Sequence, residues 1–238
     1  MTKFQDAYNG GMTTDVSQIT NPQRLFSGEE ALSESTPVPD ANGLYGLYFK
    51  ENPGGVPTEQ CITSDDKTLL YVGISPESRH RMRDDYLAQT SFININTLKF
   101  HINAHYKSGW GKSPLRLVLG VLLAKESGYP LRRVRKGIDM NFTRAGERWL
   151  NDWMLENAFV CCMEHEEPWT LENDLISITR PPLNIKGNPE HPFNPTLRGL
   201  ISEAMQKASE LPIHAPSSGE AFDSITDVLE DNPDMEQD

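Results

Sequence analysis

The chain has 238 residues, 37% of them hydrophobic and 24% charged, with a net charge of −12. That is enough apolar material to bury one core, and it excludes fibrous, collagen-like and wholly disordered classes. The longest nearly unbroken apolar run, 115–124, is interrupted by Arg116 and Gly120 and is about half the length of a bilayer crossing, so no membrane partner is expected.

Residues 1–36 are polar, carry Gly10-Gly11 and Asn21-Pro22 and show no sustained periodicity, which predicts a polar N-terminal leader. No stretch in it suits a secretory signal, so a cytoplasmic location is expected. Leu44–Phe49 reads as a strand between the turn residues Asp40 to Gly43 and the loop Asn52-Pro53-Gly54-Gly55. Leu69–Ile74 reads as a second strand, antiparallel to the first. Ser113 as N-cap and Pro114 at the first helical position predict a helix to about Glu126, with Leu115, Val118, Leu119, Leu122 and Leu123 on its buried stripe. Thr143 is expected to cap a helix reaching about Asn157, followed by a third strand, Phe159–Met163. Thr170 is expected to cap a last helix through Ile178, closed by Pro181-Pro182. The expected fold is α+β: a small three-stranded, mostly antiparallel sheet flanked by helices over 37–205, followed by a flexible acidic tail over 206–238.

The net charge conceals a segregation. Residues 201–238 carry ten acids against one base, and 1–36 five acids against two, so 37–200 is neutral. Within that middle, 79–148 holds fourteen Lys and Arg against five Asp and Glu, a local +9 able to attract a phosphate backbone. Nucleic acid is therefore a candidate partner, with Arg132, Arg133, Arg135 and Lys136 as the densest cluster and Arg81, Arg83 and Arg116 as further contacts. A solvated basic face is the other reading.

Two tyrosines stand out. Tyr45 follows Gly43-Leu44, and Tyr71 precedes Val72-Gly73, each in a predicted strand where glycine costs packing and marks close approach of a ligand or another backbone. Either phenol could equally be a core side chain. Cys161, Cys162 and His165 do not make a zinc set: adjacent cysteines on a strand point to opposite faces, and no fourth ligand pattern accompanies them. Three cysteines with two adjacent also argue against a disulfide framework.

Gly43-Leu44-Tyr45 and Tyr71-Val72-Gly73 resemble the signature of the GIY-YIG nuclease family. The likeness continues through Leu69 to Pro76, Ser113-Pro114-Leu115-Arg116, Trp169, Leu171-Glu172, Pro181-Pro182-Leu183-Asn184, Gly187-Asn188 and His191-Pro192-Phe193. The resemblance implies a DNA endonuclease that hydrolyses phosphodiesters with one divalent metal, Mg2+ or Mn2+, held by Glu172. It implies Tyr45 as the base for an attacking water, Tyr71 as the group that orients water or phosphate, and Asn184 near the metal or phosphate. On composition alone, Glu172 is a first-turn glutamate favoured by the helix dipole and Asn184 a turn residue.

The family also places an arginine on the helix after the second strand, followed four residues later by His or Tyr on the same helical face. Counted directly from Tyr71, Arg81 takes the arginine position, but Asp85 then stands four residues on. Treating 77–96 as an insertion aligns Leu98 to Tyr106 with that helix instead and makes the pair His101 and His105. This second register keeps the downstream spacing and is the one adopted. It puts a conditionally charged histidine where the family has a permanent cation. A nucleic-acid-binding protein of the same fold without cleavage is the resulting alternative, and a protein-interaction module acting through its acidic tails is a third.

Overall fold

The computed structural model describes residues 16–76, 97–107, 113–134 and 139–214. In chain order the elements are α1 (Ser17–Thr20), β1 (Phe26–Ser27), α2 (Gly28–Ala31), β2 (Gly43–Phe49), β3 (Thr63–Ser64), β4 (Lys67–Ser75), α3 (Leu98–Tyr106), α4 (Pro114–Leu122) and α5 (Ala124–Ser127). Then follow β5 (Arg132–Val134), β6 (Asp139–Asn141), α6 (Arg144–Asn157), β7 (Ala158–Glu164), α7 (Glu172–Thr179) and α8 (Asn194–Glu210). The fold is α+β, as expected, but the main sheet has five strands rather than three, in the order β1-β7-β2-β4-β3, all antiparallel. β1 and β3 are two residues each, too short to show a period of two, and exist because β7 and β4 offer them edges. A separate hairpin pairs β5 with β6 inside the basic segment.

β2 lies between β7 and β4, and all seven of its residues are buried. A strand covered on both faces has no solvent side for polar residues, which explains the unbroken run Gly-Leu-Tyr-Gly-Leu-Tyr-Phe. One face gathers Tyr45, Leu47, Phe49 and Leu70 with Leu98, Ile102 and Tyr106 of α3, Leu115, Val118 and Leu119 of α4, and Leu150 and Trp153 of α6. The other gathers Leu44, Tyr48, Leu69, Val72 and Ile74 with Ile19 of α1 and Leu175 and Ile176 of α7. Cys161 packs on the second face and Cys162 against the first, as strand alternation requires.

The pairing of β2 with β4 contains a bulge. Leu47 faces Tyr71 and Tyr48 faces Leu69, which leaves Leu70 without an opposite residue on β2. The extra residue shifts the parity of β4, so Leu69 points to the second face while Leu70 and Tyr71 both turn to the first, the face of Tyr45. The outer edge of β4 beyond β3 is finished by the segment after α7. Leu183 N–H donates to Leu70 O at 3.0 Å, and the Asn184 amide pairs with both backbone groups of Val72.

The packed region begins before residue 37 and ends after 205. Ile19 is fully buried, and Phe26 pairs with Val160. At the other end α8 buries Leu197 and Ala208. Residues 211–214 then lie along β5, where the guanidinium groups of Arg132 and Arg133 donate to Pro212 O at 3.0 Å and Leu211 O at 2.6 Å. The acidic stretch expected beyond falls outside the described residues. Among the described residues no helix is long and apolar enough to cross a membrane.

Candidate active site

Three rings meet on the first face. Tyr45 on β2 is buried, and its Oη lies 2.6 Å from His105 Nε2 on α3. Their ring centroids are 5.5 Å apart, Tyr71 stands edge-on to His105 at 5.5 Å, and the two tyrosine rings are 6.4 Å apart. Gly73 makes this cluster possible. It is the register partner of Tyr45, and a Cβ there would sit 2.3 Å from the Tyr45 Oη. Tyr71, only half-buried, is the ring of the three that reaches the surface.

His105 is held from behind. Its Nδ1 is 2.7 Å from the Oγ of Ser113, the N-cap of α4, which also accepts the Arg116 N–H at 3.2 Å. Arg116 donates through Nη1 to the His105 carbonyl at 3.0 Å and through Nη2 to the Glu147 carbonyl, and its guanidinium pairs with the Glu147 carboxylate. Both partners of that pair are nearly buried, with side chains 7% and 12% exposed. Burial, His101 and Arg116 together push the His105 pKa down to about 3, so the imidazole is neutral at ordinary pH.

The structure thus brings Tyr45, Tyr71 and His105 together. His101 sits one turn earlier on α3, half-buried beside Phe100. Glu172 opens α7, also half-buried; this helix lays Leu175 and Ile176 on the second face and contacts β4, the strand that carries Tyr71. Asn184 is buried, and both ends of its amide are engaged: Oδ1 accepts the Val72 N–H at 3.0 Å, and Nδ2 donates to Val72 O at 2.8 Å. It therefore braces the strand between Tyr71 and Gly73.

The basic residues divide. Arg116, expected on a nucleic-acid surface, is 5% exposed, and its guanidinium is held between the His105 carbonyl and Glu147. Arg132 and Arg133 are half-buried and hold the 211–214 segment. Arg81, Arg83, Arg135 and Lys136 lie outside the residues whose side chains are described. Sequence reasoning read Ser113 as a cap and as part of a matching motif, gave it no place in the site, and did not single out Glu147. Ser113 stands eight residues from His105, and Glu147 thirty-one from Arg116, so no helical spacing joins them.

Among the described residues no three His, Cys, Asp or Glu side chains converge on a point that could hold a metal ion. No curated protein and no solved structure matches the chain. The family model of the GIY-YIG catalytic domain matches residues 43–204, a stretch holding both tyrosines, the histidine helix, Glu172 and Asn184, and the chain belongs to that family.

Proposed function

We propose that the protein is a metal-dependent endonuclease that hydrolyses phosphodiester bonds in DNA in the cytoplasm. Family membership supports nuclease-type chemistry and a nucleic-acid partner. The observation that carries the reading further is the buried contact of the Tyr45 phenol with a neutral imidazole beside the half-buried Tyr71. A core tyrosine is ordinarily satisfied by a backbone carbonyl, as Tyr48 and Tyr106 are here.

In this reading Tyr45 takes the proton of a water attacking phosphorus in line, and Tyr71 at the mouth orients that water or a phosphate oxygen. Glu172, in the first turn of α7, would hold the cation. The hydrated ion supplies charge neutralisation at the phosphate oxygens. Asn184 acts by fixing the backbone of Val72, and hence the direction of Tyr71.

The second reading, binding without cleavage, is favoured by His101 at the family's arginine position. A histidine there is charged only part of the time, whereas an arginine is permanently charged. Cleavage of plasmid and branched DNA with Mg2+ or Mn2+, compared among wild type, Glu172→Ala and Tyr71→Phe, separates the two. Product that needs the metal and disappears in both variants supports the nuclease. DNA retention without such product leaves a binding protein.

A further inference from the structure

Both nitrogens of His105 are engaged, Nε2 with Tyr45 Oη at 2.6 Å and Nδ1 with Ser113 Oγ at 2.7 Å. A neutral imidazole carries one proton, so one of these contacts is made by a donor nitrogen and the other by an acceptor. The choice between them determines what Tyr45 can do.

Ser113 Oγ already accepts the Arg116 N–H. Its own proton needs an acceptor, and Nδ1 is the acceptor at hydrogen-bond distance among the described residues. We propose that Ser113 is a positioning residue: its hydroxyl donates to His105 Nδ1, which fixes the imidazole proton on Nε2 and aims that N–H at the Tyr45 phenol oxygen. This rests on the reading of Tyr45 as the base. A donor at the phenol oxygen favours the phenolate, the form able to take a proton from water. The phenol first gives its proton to solvent. Water's proton then moves to the Tyr45 oxygen as the water oxygen bonds to phosphorus and the bond from phosphorus to the leaving oxygen breaks. That leaving oxygen takes a proton from solvent, and His105 keeps its own proton throughout. The opposite tautomer would hold the phenol proton against a ring that cannot keep it, and Tyr45 would be a donor with no vacancy for a second proton.

The surroundings agree with a histidine that donates without titrating. The charged and titratable groups around it in the described residues are His101 one turn back on α3, Arg116 on α4 with Glu147 of α6 paired to it, and Tyr45 and Tyr71 from the sheet. A second proton would make the ring positive beside the Arg116 guanidinium in a buried space, and the Glu147 carboxylate that could have offset it is already committed.

The test uses the full chain with nitrogen-labelled histidine and carbon-labelled tyrosine. Long-range nitrogen NMR is expected to show His105 in wild type with Nε2 protonated and Nδ1 bare. In S113A the tautomer mixes or reverses, and Tyr45 deprotonates about one pH unit higher, the size of one hydrogen bond to the charged form. S113T, which keeps a hydroxyl, restores both signals. Ser113 acting only as a cap lowers stability in S113A without moving either. Nδ1 protonated in wild type, or a Tyr45 titration unchanged in S113A, overturns the proposal. Neither readout requires cleavage, so the failure of the nuclease reading would be seen separately, in the metal-dependent assay.

Discussion

β2 sends two buried tyrosines to opposite faces of one sheet, and the two faces use a phenol differently. On the second face Tyr48 donates to the Ile19 carbonyl at 2.7 Å among Leu44, Leu69 and Val72, and burial pushes its pKa up. That hydroxyl is a structural donor with a fixed acceptor. On the first face Tyr45 meets a neutral histidine, itself backed by a serine and a buried ion pair. Equal burial thus gives a phenol bound to a backbone carbonyl in one place and, in the other, a phenol facing an imidazole, the one the proposed function uses as its base; the difference lies in the partner. Tyr45→Phe is expected to lower cleavage by about a hundredfold to ten-thousandfold, the range of a lost general base, with little change in DNA binding. Tyr48→Phe should leave cleavage intact and cost about 1–2 kcal/mol in urea unfolding, because the Ile19 carbonyl loses its donor. Equal loss of activity in both variants would break the contrast.

The polar side of the sheet is also the costlier one to disturb. Arg116 and Glu147 sit with almost no solvent, and the guanidinium spans the His105 carbonyl and the first turn of α6. Removing either partner leaves an uncompensated buried charge, so Arg116→Ala or Glu147→Ala should destabilise by about 3–5 kcal/mol in chemical denaturation. A paired replacement, Arg116→Met with Glu147→Leu, should recover much of that, since the desolvation cost disappears with the charges. If the double variant is no better than the singles, the pair does more than cancel itself.

The elements readable in the sequence are those whose signals are local. β2, β4 and β7 are apolar runs closed by turn residues, and Ser113 and Thr143 do cap α4 and α6 through the N–H groups of Arg116 and Gly146. Thr170 was expected to cap the last helix, but Pro168–Thr170 forms a 3-10 turn and α7 starts two residues later with Leu171 at the cap position. The helix expected to reach Glu126 breaks at Leu123, where α4 gives way to α5. Of the site, Tyr45, Tyr71 and His105 were legible through motif and i, i+4 spacing. Arg116 was misread as a surface base because an inward turn toward Glu147 is a tertiary fact that no periodicity encodes. Asn184 read as a turn residue on composition and, by resemblance, as a group near the metal or phosphate; that both ends of its amide pair with the Val72 backbone depends on an open strand edge that composition does not reveal.

Two glycines sharpen the contrast between the faces at smaller scale. A Cβ at Gly73 would meet the Tyr45 ring at 2.3–2.9 Å, whereas one at Gly46 would meet side-chain atoms of Leu69, Ile19 and Cys161 at 3.0–3.3 Å. Gly73→Ala must displace the phenol from His105, so cleavage should fall steeply alongside about 1–3 kcal/mol of overpacking strain. Gly46→Ala asks aliphatic neighbours to give by a few tenths of an ångström, and activity should persist with a small stability change read by thermal melting.

Acid should find the same asymmetry. On the second face Tyr48 is pushed up by burial, and Cys161 is pushed up to about 12, so neither changes charge between neutral and acidic pH. On the first face His105 is depressed to about 3 by burial, His101 and Arg116. The unfolded chain takes up this proton below about pH 6.5 while the folded chain refuses it, so the His105 contribution is complete above that pH and is lost as pH falls toward the folded value. The expected slope is about 1.4 kcal/mol per pH unit for one proton. The difference between the stability curves of wild type and His105→Gln isolates it from the carboxylates. A flat difference across that window would mean that the ring admits its second proton, and with it that Tyr45 faces an imidazolium instead of a neutral donor.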